Sequence, residues 1–374
     1  MSTSHRWAVL GSALVLALGG VAAGCGDDDE GTTETAASGE QGGGKIALLL
    51  PESKTTRYES ADRPFFEAKV QELCPDCEII YSNAHQDAAK QVQQAEAAIP
   101  QGAEVLVLDP VDSGSAGGIV QRAKQSDIPV ISYDRLVLNA DVDYYISFDN
   151  EKVGQLQGES LIEALGGSGE GKTIVMINGS PQDNNAKLFK QGAHSVLDES
   201  GVEIAKEYDT PDWSPDKAQQ QMEQAITAVG KENIDAVYAV YAANDGTGGG
   251  AIAAMKGGGL DPTEIPVTGQ DAELAAIQRI LVGEQYMTVH KAIKPEAEAA
   301  AELAVALVRG EAVPEGLVNN TVNNEQKDVD SILLDPIAVT KDNVKDTIVA
   351  DEFHKVADLC AGEYADACAE AGIE

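Results

Sequence analysis

The chain reads Tyr144-Tyr145-Ile146-Ser147-Phe148-Asp149-Asn150 where one half of its pattern ends and a second half begins. A second segment, Gly179-Ser180-Pro181-Gln182-Asp183-Asn184-Asn185-Ala186, follows another apolar run, Thr173–Ile177. In both places a run of β-forming residues leads into short polar side chains. Polar side chains at the carboxyl end of a strand are placed to hydrogen-bond a small polar ligand. These two segments therefore predict an α/β fold with a polar site at its strand ends.

On both sides of Asn150, short apolar strands alternate with amphipathic helical segments. Before it, the predicted strands are 45–50, 78–82, 105–108, 130–133 and 144–148, and the predicted helices are 61–73, 88–99 and 119–125. After it, the predicted helices are 153–165, 186–199, 215–229, 249–256, 272–281 and 295–309, and the predicted strands are 173–177, 203–208, 236–241, 266–269 and 285–289. Such alternation predicts parallel sheets covered by helices. The similar order of the two halves predicts two α/β lobes.

The net charge of the chain disfavours some classes of binding partner. The 374 residues include 26 Lys and Arg against 62 Asp and Glu, a formal net charge of -36. Nucleic acid is disfavoured because its phosphates would be repelled. The balance is typical of a well-solvated acidic surface and suits a neutral ligand.

The N-terminal residues predict export and a lipid anchor. His5 and Arg6 precede the apolar run Trp7–Leu18, and small residues lead to Cys25. Residues 1–24 are typical of a secretory signal peptide. The cysteine after Ala23-Gly24 resembles a lipobox, in which Cys25 becomes the lipidated first residue; an ordinary signal peptide with an incidental cysteine is the alternative. Residues 25–44 are acidic and Gly-rich, which predicts a flexible linker.

Four further cysteines are interpreted as two disulfides. An even number in an exported chain favours pairing of Cys74 with Cys77 and of Cys360 with Cys368. A zinc site is the alternative, but no histidine stands at ligand spacing beside either pair. The sequence thus predicts no metal site.

Polar residues follow nearly every predicted strand in both halves. They include Arg57 and Tyr58, Asp109, Asp134 and Arg135, Asp149 and Asn150, Asp183 and Asn185, Asp212 and Trp213, Asn244 and Asp245, Gln270 and Asp271, and His290 and Lys291. Such groups bond neighbouring sugar hydroxyls, which both donate and accept, and an aromatic plane packs on the C–H face of a sugar ring. Any single Asp or Asn there is as readily explained as a helix cap. The set as a whole favours a sugar site.

Enzyme interpretations have less support. The sequence has no Gly-rich phosphate loop with the required spacing. His85, His194 and His290 have no Ser or Cys nucleophile context, and His354 lies in the C-terminal tail. Spacing alone leaves paired carboxylates for glycoside hydrolysis open. We therefore predict a binding protein without a cofactor, and not an enzyme.

The chain resembles the type I periplasmic sugar-binding family, in particular its xylose-binding members, over residues 45–355. The resemblance lies in the following blocks: 133–135 (YDR), 145–156 (YISFDNEKVGQL), 179–189 (GSPQDNNAKLF), 244–245 (ND), 269–272 (GQDA), 287–289 (MTV) and 319–329. It implies two Rossmann-like lobes with parallel sheets, joined by three hinge crossovers near Asn150, 289–291 and 320–323. The N-terminal lobe would comprise 45–150 and 291–320, and the C-terminal lobe 151–290 and 321–350. Residues 351–374 would be a tail.

The resemblance also implies the ligand contacts. Carried onto this sequence they are Arg57, Asp134, Arg135, Asp183, Asn185, Trp213, Asn244, Asp271 and Lys291. Arg57 and Trp213 would stack on opposite faces of the sugar ring, and the others would reach its oxygens. Three features depart from the expected pattern: the run Leu50-Pro51-Glu52-Ser53-Lys54, Tyr58 in place of Trp, and His290 in place of Tyr.

The implied function is delivery of one monosaccharide, D-xylose first, from the interlobe cleft to the permease of an ABC transporter. Ribose, arabinose, galactose and glucose are alternative ligands, and a sugar receptor for chemosensing is an alternative role. A transcriptional regulator with this core would need an N-terminal helix-turn-helix, where this chain has a signal and a linker. The protein is expected to be an extracytoplasmic, lipid-anchored monomer.

Overall fold

The computed structural model describes residues 43–229 and 237–373. The predicted signal peptide, Cys25 and nearly all of the linker lie outside the described residues. The strands are β1 (Lys45–Leu50), β2 (Glu78–Asn83), β3 (Val105–Leu108), β4 (Val130–Tyr133), β5 (Tyr144–Phe148), β6 (Thr173–Asn178), β7 (Glu203–Asp209), β8 (Val237–Ala242), β9 (Met287–His290), β10 (Asn320–Asn323), β11 (Asp328–Leu334) and β12 (Ile337–Thr340). The helices are α1 (Arg63–Leu73), α2 (Ala88–Ala98), α3 (Gly117–Lys124), α4 (Asn150–Ala164), α5 (Asn184–Leu197), α6 (Pro215–Val229), α7 (Asp245–Gly258), α8 (Leu274–Leu281), α9 (Ile293–Val308), α10 (Val356–Leu359) and α11 (Ala365–Glu370).

The N-terminal lobe is built on a seven-stranded sheet in the order β10-β11-β5-β4-β3-β1-β2. Its strands are parallel except for β10, which is antiparallel to β11. The apolar runs of β1, β3 and β4 are buried on both faces, as the near-continuous hydrophobic reading of a covered parallel strand requires. Helices α1 and α9 cover one face, and α2 and α3 cover the other.

The C-terminal lobe contains a parallel sheet in the order β7-β6-β8 and an antiparallel pair, β9 and β12. The strand predicted at 266–269 pairs as a strand only at Val267, opposite Val240. Its backbone nevertheless bonds to both neighbours, because Thr268 donates to Val240 and Val289 donates to Gly269. The segment thus links β8 to β9 across the lobe.

Among the residues that the structure describes, three chain crossovers join the lobes, which confirms the predicted fold class. They follow β5 at Asp149, β9 at 291–292 and β11 at 335–336. The third was predicted near 320–323, and that position is wrong. Strand β10 pairs with β11, and β11 pairs with β5, so 321–334 belongs to the N-terminal sheet and not to the other lobe. Pairing ends at Asp335-Pro336 because proline has no amide hydrogen to donate.

The C-terminal residues pack on the second lobe and do not form a loose tail. Leu359 and Cys368 are buried in a cluster with Ile277 and Leu281 of α8. Both predicted disulfides are present, between Cys74 and Cys77 and between Cys360 and Cys368. Within 43–229 and 237–373, no helix combines the length and the apolar content that crossing a membrane requires.

Candidate ligand-binding site

A small cavity lies between the two lobes at the carboxyl ends of their strands. Its lining residues are Thr55, Arg57, Tyr58, Asp134, Arg135, Asp183, Asn185, Phe189, Trp213, Asn244, Gln270, Asp271 and Lys291. The empty space among them is about 260 Å³, part of it open to solvent. Its size and its polar lining suit one small polar ligand.

All nine residues that the resemblance implied as ligand contacts line this cavity. Four lining residues were not on that list: Thr55, Tyr58, Phe189 and Gln270. Gln270 and Tyr58 follow strands and carried a sequence signal, whereas Thr55 and Phe189 carried none. A threonine in a loop and a phenylalanine on the buried side of a helix are common in any protein, so neither residue indicates a contact with a ligand.

The loop after β1 brings Arg57 and Tyr58 to the cavity. The Arg57 guanidinium is tied to Asp62 at 2.6 Å, to Glu296 at 2.5 Å and to Asp134 at 3.4 Å. The Tyr58 hydroxyl donates to Asp134 at 2.7 Å. The arginine is thus held rigidly by carboxylates, and the tyrosine ring lies beside it. The stacking role of Arg57 stays a prediction.

Arg135 of the N-terminal lobe and Trp213 of the C-terminal lobe both contact Asp183. Arg135 Nε lies 3.0 Å from Asp183 Oδ2, and Trp213 Nε1 donates to the same oxygen at 3.0 Å. The Trp213 ring packs on the backbone of Gly179, where an added Cβ would lie 2.0 Å from a ring carbon. Glycine at 179 is therefore what lets the indole lie flat against this turn.

Two cavity residues are helix caps as well as lining residues. Asp183 caps α5 by accepting from the Asn185 backbone at 2.8 Å. Asn244 caps α7 in a capping box with Thr247. Capping a helix, which the sequence presented as the alternative to binding a ligand, does not keep either residue from lining the cavity. Each capping interaction fixes the side chain at the N-terminus of a helix. Other polar atoms of the same side chain face the cavity.

Direct hydrogen bonds hold the lobes together around the cavity. Asn185 Nδ2 donates to the Asp134 carbonyl at 2.9 Å, and the Ser113 backbone donates to the Gln182 carbonyl at 3.0 Å. Asn150 donates to Asn185 Oδ1 at 3.1 Å and lies outside the cavity. The segment that ends at Asn150 thus forms part of a joint, while Asp183 and Asn185 form part of the cavity wall.

Charges in the cavity wall are balanced. Asp134, Asp183 and Asp271 stand against Arg57, Arg135 and Lys291. Burial opposes ionisation of Asp134, but Arg57, Lys291 and Arg135 outweigh it and lower its pKa. Burial raises the pKa of Asp183 despite Arg135. Because every lining cation already contacts a carboxylate, the site offers hydrogen bonds without demanding a charged ligand.

Asp109, just behind the cavity wall, gives a test of these electrostatics. It is fully buried, and neither carboxylate oxygen accepts a hydrogen bond from a described residue. Burial raises its pKa well above the ordinary value, although Arg135, 3.6 Å away, lowers it. The folded state therefore binds this proton more tightly than the unfolded chain, and the stability from Asp109 is lost as pH rises.

We expect Asp109→Asn to raise the free energy of unfolding by about 1 kcal/mol or more at pH 8, because it removes a buried charge. The gain over wild type should shrink as pH falls, because Asp109 takes up its proton more readily in the folded state than in the unfolded chain. Urea unfolding of both proteins at several pH values measures the difference. A variant less stable than wild type at pH 8 would mean that the ionised carboxylate is a net stabiliser.

The fold and the cavity define a class: two-lobed proteins that enclose one small ligand between parallel-sheet lobes. Residues 46–312 match the family model described as a periplasmic binding protein domain. The chain belongs to that family.

Curated relatives and solved structures agree with this assignment. The chain is 40% identical over 319 residues to the D-xylose-binding periplasmic protein of Escherichia coli K12, covering 84% of this chain and 92% of the relative. It is 36% identical over 290 residues to a multiple sugar-binding periplasmic receptor of Rhizobium radiobacter, covering 73% and 81%. A carbohydrate transporter solute-binding protein from Chloroflexus aurantiacus, solved with D-glucose, aligns with a TM-score of 0.76 at 29% identity, covering 84% of this chain and 97% of that one.

Proposed function

We propose that this protein is the extracytoplasmic sugar-binding lipoprotein of an ABC importer and that it binds D-xylose in the interlobe cavity. The observation that carries the proposal is the cavity itself, in which all nine residues implied as sugar contacts converge. The relative named for D-xylose binding is 40% identical over most of both chains.

The chemistry of the wall supports a neutral, polyhydroxylated ligand. Carboxylate, amide and guanidinium groups can each bond two neighbouring hydroxyls. The Trp213 indole adds an apolar plane for the C–H face of a sugar ring. Since Arg135 and Lys291 already contact Asp183 and Asp271, an anionic ligand would have to displace a carboxylate.

The interlobe bonds support a binding cycle of hinge closure. Asn185 reaches Asp134 and Ser113 reaches Gln182 only when the lobes meet. An open form would expose the cavity, and a sugar that bonds groups on both lobes would favour the closed form. The closed surfaces would then be presented to the permease.

A monosaccharide screen tests the ligand. At about 100 times its dissociation constant, a ligand adds about 2.7 kcal/mol to stability, so D-xylose should raise the melting temperature measurably. D-ribose, L-arabinose, D-galactose and D-glucose serve as comparisons, and calorimetry gives the affinities. No shift with D-xylose and a clear shift with another sugar would replace the ligand and keep the class.

A sugar receptor for chemosensing is the second candidate. It is favoured by the 36% identity to a relative named as a multiple sugar-binding receptor. Uptake of labelled D-xylose by cells that lack the gene separates the two roles. Loss of uptake supports transport, whereas unchanged uptake with a lost response to the sugar supports the receptor.

The lipid anchor has a separate test. We expect the chain expressed in its own host to partition into the detergent phase of a Triton X-114 extraction. Cys25→Ser should move it to the aqueous phase, because it removes the sulfur that carries the lipid. If wild type and Cys25→Ser both partitioned into the aqueous phase, residues 1–24 would be an ordinary signal peptide.

A further inference from the structure

The ion pair between Asp271 and Lys291 depends on an unusual turn. Lys291 Nζ lies 2.8 Å from Asp271 Oδ1, and both side chains are about 4% exposed in the cavity wall. Asp271 and Ala272 have φ angles of 91° and 50°. Two successive non-glycine residues in the left-handed region are strained, and such a conformation persists only where its surroundings impose it.

Two groups hold this turn from behind, away from the cavity. The Ala272 amide donates to Thr288 Oγ1 of β9 at 3.2 Å. The Ala272 carbonyl accepts from His354 Nε2 at 2.6 Å. Thr288 lies in the same lobe core as the turn, whereas His354 belongs to the C-terminal segment that the sequence predicted to be a tail.

The same segment also fixes the strand end that carries Lys291. His290, which precedes it, is 1% exposed in its side chain, and its Nε2 lies 3.0 Å from Asp351 Oδ2. The Phe353 ring stands edge-on to both His290 and His354, with centroids 4.8 Å apart in each pair. Residues 351–354 therefore contact His290, which precedes Lys291 in the chain, and Ala272, which follows Asp271.

This segment is itself firmly attached. Phe353 packs against the cluster of Ala61, Phe148 and Ile293 at the hinge. Further along the chain, Leu359 and Cys368 are buried against α8. A disulfide between Cys360 and Cys368 links the two ends of the segment 360–368. The backbone at His354 is thus held rigidly. A side chain that orients a binding group needs such rigid support.

We propose that His354 is a positioning residue for the ligand site: by holding the Ala272 carbonyl, it fixes the turn that sets Asp271 against Lys291. The inference rests on the proposed function, since the cavity wall is taken as the sugar site. His354 does not line the cavity. It acts through Asp271, and Asp351 supports the opposite partner through His290.

The matched variants are His354→Ala, His354→Gln and Ile226→Val. Glutamine keeps a donor at the place of Nε2, whereas alanine removes it. Ile226 is buried in a separate core cluster of the same lobe, so Ile226→Val lowers stability without touching the turn. Amide hydrogen exchange at Asp271 and Ala272, read by NMR without any sugar, reports the turn. Calorimetry with D-xylose reports the site.

We expect His354→Ala to speed exchange at both amides by about tenfold and to weaken D-xylose binding by a similar factor, the effect of one lost buried hydrogen bond. His354→Gln should restore most of both, and Ile226→Val should change the two amides no more than others in its lobe. In an Asp271→Asn background, His354→Ala should weaken binding little further.

The two hypotheses fail in different ways. Unchanged exchange in His354→Ala overturns the positioning role whatever sugar binds. Faster exchange with unaltered D-xylose affinity overturns it as well, because the turn would then not govern the site. If wild type binds none of the sugars screened while exchange responds as expected, the proposed function fails and the link between His354 and the Asp271 turn stands.

Discussion

Trp213→Ala should weaken sugar binding by roughly 30- to 1,000-fold. This factor corresponds to a loss of about 2–4 kcal/mol of binding free energy, which is typical of a central aromatic residue in a binding site. The indole is 4% exposed, lines the cavity and donates to Asp183 at 3.0 Å. Its loss removes the apolar plane and also leaves Asp183 Oδ2 with one donor fewer. Calorimetry with D-xylose measures the change.

Trp213→Phe is the matched control. It keeps a smaller aromatic plane and loses the Nε1 donor, so we expect an intermediate affinity. Because Trp213 also packs edge-on to Phe189, with ring centroids 6.3 Å apart, circular dichroism must first show that each variant is folded. A folded alanine variant that binds D-xylose as tightly as wild type would exclude this cavity as the sugar site.

The sequence predicted best those strands that are buried on both faces of a sheet. The bounds predicted for β1, β3, β4 and β5 agree with the structure. Each is a short apolar run between turn residues, which is the clearest local signal for a covered parallel strand. Helix α6 was also bounded correctly, since Pro215 begins it.

The third crossover could not be read in the same way. Strand β10 begins and ends with Asn, and β11 carries Asp at positions 328 and 330, so both resemble loop sequence. What makes them strands is the free edge of β5, a partner more than 180 residues away in the chain. Such pairing depends on tertiary context, which local propensity does not contain.

The site was anticipated only where polar residues end strands. Asp183 and Asn244 were found in that way, although the sequence could not say that each caps a helix while lining the cavity. Phe189 and Thr55 were missed because their positions are ordinary. His354 was set aside as a tail residue, because nothing local indicates that its imidazole reaches Ala272, 82 residues away.

Arg57→Met should destabilise the ligand-free protein by about 3–5 kcal/mol, the cost of breaking a buried ion pair by removing one partner. Arg57 is 3% exposed, and its guanidinium contacts Asp62, Asp134 and Glu296, which are themselves buried. Methionine fills a similar volume but leaves these carboxylates without their shared cation. Urea unfolding at pH 7.5 measures the loss.

Arg122→Met provides the matched control. Its guanidinium makes one ion pair, with Glu96 at 2.8 Å, and its side chain is 58% exposed. The same substitution there should cost less than about 1 kcal/mol, because solvent screens an exposed pair. Similar losses in the two variants would mean that the Arg57 cluster contributes no more than a surface contact.

The effect of pH on the Arg57 variant distinguishes lost charge from lost packing. Burial already raises the pKa of Glu296, and Arg57 counters that rise. Without Arg57 the folded state should take up protons that the unfolded chain does not, so the stability deficit should shrink as pH falls from 8 to 5. Adding Glu296→Gln should recover part of the deficit at pH 8 because it neutralises one of the stranded carboxylates. A deficit that is the same at every pH, and that Glu296→Gln does not reduce, would assign the loss to packing alone.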